Sequence, residues 1–428
     1  MKQIFFAILA AFCYFWYIGE YSFIFAPIGF FVFTLNALHY AKVWQFSLLT
    51  FPLLTIAGFL AGRNMILGPT MWIVAGAASF GFTAIFILHK LFFFKANFWL
   101  SAILFGILVT SLEYLFGLIN PFGAWTSSGY ALFPILKYLN WLPIFGGFGV
   151  YFYSFLYAII SYFIFQLVIN FDQIKERVFY SKCLVGIILI GLIFPSFIPS
   201  NLTTKSKNVK VGLVNSQTSA SDNMYNKLDR ISKIALNSDI VLTGEAFFRF
   251  NNYAQQTEAF DKLASISKTT NSYIFVGLIS VGENLKFDRS NKLVGWNPKG
   301  EIVMNYTKAN LLPIEVYIYN KGKSEIPFVD TEFGRIGGVI CFDSDHPEYI
   351  SQSRLLGLDY LLVPVNEWSG IAHRHTQQIA FRAKENNFTV INSAVNGSNR
   401  ITNSKGEEIF SSVSEIDGKS DIVVEVRK

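Results

Sequence analysis

Arg335-Ile336-Gly337-Gly338-Val339-Ile340-Cys341-Phe342-Asp343 reads as a short β-rich run that stops at a thiol and a carboxylate. Runs of the same kind lie on both sides, at 209–214, 240–242, 272–278, 292–296, 302–305, 328–331, 361–364, 388–393, 397–401 and 422–426. Between them, 222–237, 253–269, 347–356 and 373–385 read as helices. Strands that alternate with helices and polar turns predict a layered α/β fold. Asn-Pro-Lys-Gly at 297–300 and Asn-Ser-Lys-Gly at 403–406 predict hairpin turns between strands. No Gly-rich phosphate or dinucleotide loop opens a helix here, which argues against a nucleotide-binding fold.

Upstream of this region the character of the chain changes. The 428 residues are 52% hydrophobic and 15% charged, with 45 Phe, a composition that excludes an ordinary cytosolic enzyme, a disordered regulator and a disulfide-stapled module. Residues 1–198 hold nine Lys or Arg and four Asp or Glu, whereas 199–428 hold 26 and 25. This split predicts a membrane domain over 1–198 and a water-exposed domain over 199–428. The near-neutral second part lacks the clustered basic residues that nucleic acid requires, so no nucleic-acid partner is expected. Apolar stretches at 4–24, 25–40, 45–62, 70–89, 96–118, 146–170 and 181–198 predict about seven spans, that at 25–40 being short for the purpose. From a cytoplasmic N-terminus, Lys2, Lys42, Lys90, Lys95, Lys175, Arg177 and Lys182 fall inside and only Arg63 and Lys137 outside. The positive-inside rule then places the second domain outside the cytoplasm, and six spans would place it inside.

Glu113 is an acid in an apolar run, so it should face the bundle, a cavity or a partner. The segment 119–145, with Pro121, Gly123, Trp125, Gly129, Tyr130, Pro134, Trp141 and Pro143, does not suit a further span and reads as interfacial or re-entrant, its Trp and Tyr at headgroup level. Cys13 and Cys183 lie in apolar segments and read as small buried hydrophobes. No disulfide framework or metal spacing is visible, and no metal or cofactor is expected.

Cys341 is the one cysteine of the polar part. Gly244-Glu245 and Tyr306-Thr307-Lys308 each follow a candidate strand as Cys341 does, and strand ends are where α/β folds gather catalytic groups. A thiol, a carboxylate and an ammonium form a kit for acyl transfer: the carboxylate takes the thiol proton, the thiolate attacks a carbonyl, and the ammonium stabilises the developing oxyanion. On composition alone the alternative stands beside it, that Cys341 is an inert buried thiol and Glu245 and Lys308 are solvated.

Glu245, Lys308 and Cys341, separated by 63 and 33 residues, resemble the Glu, Lys, Cys catalytic set of the carbon–nitrogen hydrolase (nitrilase) superfamily. With a membrane bundle in front, the chain is similar to the bacterial apolipoprotein N-acyltransferases in particular. Leu112-Glu113-Tyr114, Asn120-Pro121-Phe122 with Trp125 and Gly129-Tyr130, and Val365-Asn366-Glu367-Trp368 with His375, Arg382, Glu385 and Asn396-Gly397 extend the similarity over nearly the whole chain. The resemblance implies an αββα four-layer sandwich for the second domain. It implies Glu245 as general base and acid, Lys308 as oxyanion stabiliser and Cys341 as acyl carrier. Asp343 would orient the site, Glu315 would be a second glutamate beside the lysine, and the Phe342 N–H would contribute to the oxyanion hole. Trp368, Trp125 and Glu113 are implied at lipid contacts. The substrates implied are a phospholipid acyl donor and a diacylated apolipoprotein acceptor, met among membrane lipids at a bacterial inner membrane, with the catalytic domain in the periplasm. A membrane-tethered amidase and a catalytically degenerate lipoprotein-binding scaffold are the alternatives. Three departures bear on them: Glu315 arrives one position early, the Lys–Cys spacing is short for an acyltransferase, and a polar end after Val426 stands where the resemblance implies a last membrane helix.

Overall fold

The computed structural model describes residues 1–19, 23–65, 68–94, 97–119, 123–193, 208–214, 223–283, 288–395, 397–413 and 421–426. Asn120, Pro121, Phe122 and Asn396, and the expected boundary at 198 and 199, lie outside the described residues. The chain divides into two compact units, Met1–Ser200 and Asn201–Lys428.

The first unit is helical: α1 (Lys2–Gly19), α2 (Ala26–His39), α3 (Val43–Gly62), α4 (Thr70–Leu88) continued by a π turn (His89–Phe93), α5 (Phe98–Ile119), α6 (Leu142–Phe145), α7 (Gly149–Ile169) and α8 (Ile174–Ile193). Among the described residues five segments are long and apolar enough to cross a membrane: α1, α3, α4 with its π turn, α5, and Leu142–Ile169, which joins α6 and α7. The expected seven would count α2 and α8 in addition to these five. The 14 residues of α2 reach only about 21 Å at 1.5 Å per residue, against a hydrocarbon core of about 30 Å. Protein, rather than lipid, surrounds much of α2: Phe30, Phe31 and Leu35 are fully buried. The Lys90 ammonium closes its C-terminal end by donating to the carbonyls of Leu38 (2.6 Å) and Ala41 (2.8 Å). The stretch expected at 181–198 begins in α8, whose opening turns are charged, and runs on into residues outside the described set.

Packing inside this unit is aromatic. Phe30 meets Tyr14, Phe31 and Phe82 at ring separations of 4.9, 5.1 and 5.2 Å. Gly106 lets α5 approach α7, since a Cβ there would lie 2.7 Å from Phe155. Such close approach is how helices associate where lipid removes the hydrophobic drive. Cys13 and Cys183 are half-buried, less enclosed than expected. The segment after α5 forms a 3-10 turn (Ser128–Tyr138) and then α6, in agreement with the reading that it makes no further span. It is more enclosed than a headgroup-level loop, because Ser127, Ser128, Tyr130 and Ala131 are all fully buried. Glu113 explains this. Its carboxylate accepts from the Tyr17 hydroxyl on α1 (3.0 Å) and from the Ser128 backbone N–H (3.0 Å), tying the turn into the bundle.

The second unit contains two sheets. Strands β1 (Val209–Val214), β2 (Ile240–Thr243), β3 (Phe248–Arg249), β4 (Tyr273–Val281), β5 (Arg289–Trp296) and β6 (Ile302–Thr307) are followed by β7 (Phe328–Thr331), β8 (Gly334–Gly338), β9 (Tyr360–Asn366), β10 (Thr389–Val395), β11 (Ser398–Thr402), β12 (Glu408–Val413) and β13 (Asp421–Val426). One sheet runs β13-β1-β2-β4-β5-β6, with β3 beside β4, and the other runs β12-β11-β10-β9-β8-β7. Side-chain alternation divides the strands between two cores. Ile240, Leu242 and Phe275 join Leu361, Val363 and Val390 of the other sheet in a shared core. Val241, Ile274 and Val276 face outward onto α9 (Met224–Ala235) and α10 (Tyr253–Thr270) through Leu228, Ile231, Ala259 and Leu263. Across the second sheet lie α11 (Pro347–Ile350), α12 (Gln352–Leu356) and α13 (Ser369–Asn386), giving the expected four layers. Both hairpins form as expected. Gly300 (φ +80) donates to Asn297 O and Gly406 (φ +79) to Asn403 O, the left-handed turn that glycine allows.

Glu113→Ala leaves the Ser128 N–H buried without its acceptor. We expect a loss of about 1–3 kcal/mol, read as a lower melting temperature in detergent, with Glu113→Gln intermediate. An unchanged melting temperature for the alanine variant would remove Glu113 from its pinning role.

Candidate active site

Three chain segments converge, each just past a strand. Glu245 follows β2 at the junction of the sheets, where its N–H donates to Val365 O of β9 (3.2 Å). Its neighbour Ala246 has φ +52 and Cys341 has φ +45, left-handed conformations that cost a residue with a Cβ and recur at functional sites. Room for the Glu245 turn comes from Gly277 on β4, where a Cβ would stand 2.9 Å from the Glu245 Cα. Lys308 follows β6, and Cys341 opens the 3-10 turn Cys341–Asp345 after β8. Lys308 is fully buried and Cys341 only 6% exposed.

Lys308 Nζ lies between two carboxylates, donating to Glu245 Oε1 (2.9 Å) and Glu315 Oε1 (3.0 Å). Asn291 Nδ2 also donates to Glu245 Oε1 (2.7 Å), and the Asn366 N–H to Oε2 (3.0 Å). Glu315 in turn caps the Leu312 N–H (2.8 Å). The apolar side chains around it point outward: Ile314 and Val316 are exposed, and Tyr317 is 90% so. Asp343 is fully buried and accepts from the Tyr306 hydroxyl (2.8 Å), the Ile340 N–H (3.0 Å), and the N–H and Nδ2 of Asn310 (2.7 and 3.1 Å). Phe342 is buried with its ring edge-on to His346 (4.9 Å). Its N–H is at the second position of the 3-10 turn, where the turn itself supplies no partner.

Burial would lift the Glu245 carboxyl, but the charge and hydrogen bond of Lys308, with Asn291 and the Cys341 thiol, hold it below its ordinary value. Burial would likewise depress Lys308, yet Glu245 foremost keeps it well above the usual lysine range. The Cys341 thiol is pushed well up, by burial and then by Glu245, against the pull of Lys308. These shifts describe a neutral thiol beside a carboxylate that an ammonium keeps ionised. Such a thiol becomes nucleophilic when a carbonyl arrives and the carboxylate takes the proton.

A second buried network lies beyond the Cys341 turn. His375 Nδ1 meets Glu367 Oε1 at 2.5 Å, and its Nε2 is 3.4 Å from both Asp345 Oδ1 and the Ser344 hydroxyl, which donates to Cys341 O (2.7 Å). Burial opposes the imidazolium, but Asp345 and Glu367 raise it to about 9.

The geometry brings together Glu245, Lys308, Cys341, Asp343, Glu315 and Phe342. Trp368 stands two residues past Asn366 at the start of α13, 41% exposed. Trp125 and Glu113 belong to the helical unit and are 7% and 1% exposed, both enclosed by protein. Asn291, Asn310 and Tyr349 were not singled out from sequence, and Tyr306 was quoted without a role. Asn291 stands among Arg289, Ser290 and Lys292 at the polar start of β5, so no local signal marked it. Among the described residues no group of three or more His, Cys, Asp or Glu is arranged to hold a metal ion.

Residues 216–414 match the family described as carbon–nitrogen hydrolase. Over 342 residues the chain is 24% identical to the apolipoprotein N-acyltransferase of Geobacter metallireducens, a match covering 71% of this chain and 64% of that one. A hydrolase of Schizosaccharomyces pombe is 28% identical over 127 residues, 27% of this chain and 39% of that protein. The chain thus spans less than two thirds of the length of these relatives. An amidase from Nesterenkonia sp. superposes on 53% of this chain and 94% of its own, with 18% identity and a TM-score of 0.46.

Gly277→Ala forces a methyl group against the Glu245 turn. Overpacking of this kind costs about 1–3 kcal/mol and displaces the carboxylate from the thiol. We expect alkylation of Cys341 by iodoacetamide, followed by peptide mass mapping, to slow at least about tenfold. Wild-type rates would show that the close approach at Gly277 does not position Glu245.

Proposed function

Taking residues 216–414 as a carbon–nitrogen hydrolase domain, we propose that the chain is a membrane-bound N-acyltransferase that modifies the N-terminus of lipoproteins. The observation that carries this reading is the convergence of Glu245, Lys308 and Cys341 in a chain that also bears five membrane-length helices. A domain covalently joined to membrane helices meets phospholipid at high effective concentration. A soluble small amide would give such helices no purpose.

In the proposed reaction Glu245 takes the Cys341 proton and the thiolate attacks an acyl ester carbonyl of a glycerophospholipid. The tetrahedral oxyanion is stabilised by the Lys308 ammonium and the Phe342 N–H. As the C–O bond breaks, Glu245 returns the proton to the departing lysophospholipid, leaving the acyl chain on Cys341 as a thioester. The α-amine of a diacylglyceryl-cysteine then attacks this thioester and loses its proton to Glu245. Collapse forms the amide, expels the thiolate, and Glu245 reprotonates it. Glu315 holds Lys308 from the side opposite Glu245, and Asp343 holds the turn that carries the nucleophile. Trp368 and the exposed Ile314, Val316 and Tyr317 are proposed to meet lipid.

Intact-mass measurement after incubation with phosphatidylethanolamine vesicles tests the first half. Wild type should gain one acyl increment and Cys341→Ala none; loss of the adduct with retained fold would leave the scaffold reading. Adding a diacylated lipopeptide should discharge the adduct into triacylated peptide. Release of fatty acid alone would favour hydrolysis.

The location proposed is an inner membrane, with the second unit on the periplasmic side. The charge bias that supports it requires α2 and α8 to count as crossings beside the five long segments. The full packing of α2 allows this, since a short helix enclosed by protein need not match the bilayer. A membrane-impermeant maleimide should therefore label Lys405→Cys in intact spheroplasts. Labelling only after lysis would put the unit in the cytoplasm.

A further inference from the structure

Lys308 and Cys341 are carried by segments of different sheets, and one carboxylate joins them. Asp343 Oδ2 accepts from the Tyr306 hydroxyl and the Ile340 N–H, while Oδ1 accepts twice from Asn310. Tyr306 and Asn310 flank Lys308 at two residues on either side, and Ile340 immediately precedes Cys341. Tyr306 is itself buried, and its hydroxyl is a three-way node. It has one proton and two lone pairs: the proton goes to Asp343, and the oxygen accepts the Ala309 N–H (3.1 Å) and stands 2.9 Å from the Tyr349 hydroxyl. The node thus folds the turn 306–309 back on itself and fastens it to the turn of the nucleophile.

We propose that Tyr306 is a positioning residue that, through Asp343, sets the approach of the Lys308 ammonium to Glu245 and the Cys341 thiol. This deepens the acyl-transfer reading and rests on it, because the geometry it maintains is that of the proposed catalytic groups. The arrangement needs Asp343 ionised. A protonated carboxyl presents a hydroxyl to one of four donors, so the clip opens from the Lys308 side or from the Cys341 side. Burial raises Asp343 to about 6, while Ile340, Lys308, Asn310 and Tyr306 act to keep it charged. The groups facing it are Tyr306 near the end of β6, Lys308 and Asn310 just past it, Tyr349 on α11, and the backbone of its own turn. Since a bond to the ionised form lowers a carboxyl pKa, removing the Tyr306 hydroxyl raises it further.

The test reads the rate of Cys341 alkylation by iodoacetamide against pH in the full-length protein in detergent, a readout that requires no acyl substrate. For Tyr306→Phe the rate should fall about tenfold and the acid limb should move up by about one pH unit. Asn310→Ala should move it the same way by less. Tyr273→Phe is the control, because it removes a hydroxyl that donates to a carboxylate elsewhere, Glu332 at 3.0 Å. It should leave both rate and limb in place. If Tyr306→Phe proves too unstable to purify, the Asn310→Ala limb decides. A wild-type profile in the variants, or an equal displacement in Tyr273→Phe, overturns the proposal. Absence of an acyl adduct in wild type with phospholipid would instead sink the acyl-transfer reading, with the alkylation profiles still deciding the role of Tyr306.

Discussion

A fully buried ammonium needs anions, and the position of Lys308 between Glu245 and Glu315 is the constraint on which the second unit's architecture turns. Taking a lysine out of water costs several kcal/mol, and only close, hydrogen-bonded partners compensate. Glu245 comes from the end of β2 and Lys308 from the end of β6, strands separated in the sheet by β4 and β5. β5, beside β6, contributes Asn291, which both donates to Glu245 and accepts the Lys308 N–H through its carbonyl (2.9 Å). The second sheet contributes the Asn366 N–H and the thiol. Displacing any one of these strand ends leaves a charge or a polar group unmatched in the interior. The layers are thereby held in register by chemistry as well as by the apolar core between them.

The helical unit handles a buried carboxylate differently. Glu113 has neutral donors, a tyrosine hydroxyl from α1 and a backbone N–H from the following turn. The two sites suit different tasks. Neutral donors fix a chain segment in place, as the enclosed turn Ser128–Tyr138 shows. An ionised carboxylate beside an ammonium, as at Glu245, has a proton affinity that changes as charge develops nearby.

Much of this was legible in the sequence because it depends on local pattern. Strands 209–214 and 328–331 fall where the β-rich runs put them, and the Asn-x-Lys-Gly turns marked both hairpins. β12 (Glu408–Val413) was not named as a strand, because its Glu408, Ser411 and Ser412 give no apolar alternation and antiparallel pairing with β11 decides its state. The short helix α2 is hard to read from sequence for a related reason. Hydropathy registers that 25–40 is apolar but not what covers it, and α2 is buried by Phe-rich neighbours rather than by length-matched lipid. Trp125 shows the same limit: an aromatic beside Pro and Gly reads as interfacial, and its enclosure beside the Glu113 clasp has no mark in the sequence. At the site, the residues with reactive groups were visible and those that orient them were not. Asn291 and Asn310 act through amide bonds across 46 and 33 residues of chain, and no spacing in the sequence announces such a pairing.

The left-handed backbone at Cys341 links these observations. A residue with a Cβ at φ +45 is held there only if its surroundings over-determine it. Here Val339 remains bonded to β9 through Leu362 O (3.0 Å), the Asp343 carboxylate receives the Ile340 N–H, and the Ser344 hydroxyl donates to the Cys341 carbonyl. The turn is thus anchored before, at and after Cys341. Relaxing φ to an ordinary value would rotate the peptide that follows Cys341, and with it the Phe342 N–H. The strained conformation therefore fixes the Phe342 N–H relative to Cys341, and the buried Asp343 and Ser344 contacts are what sustain it.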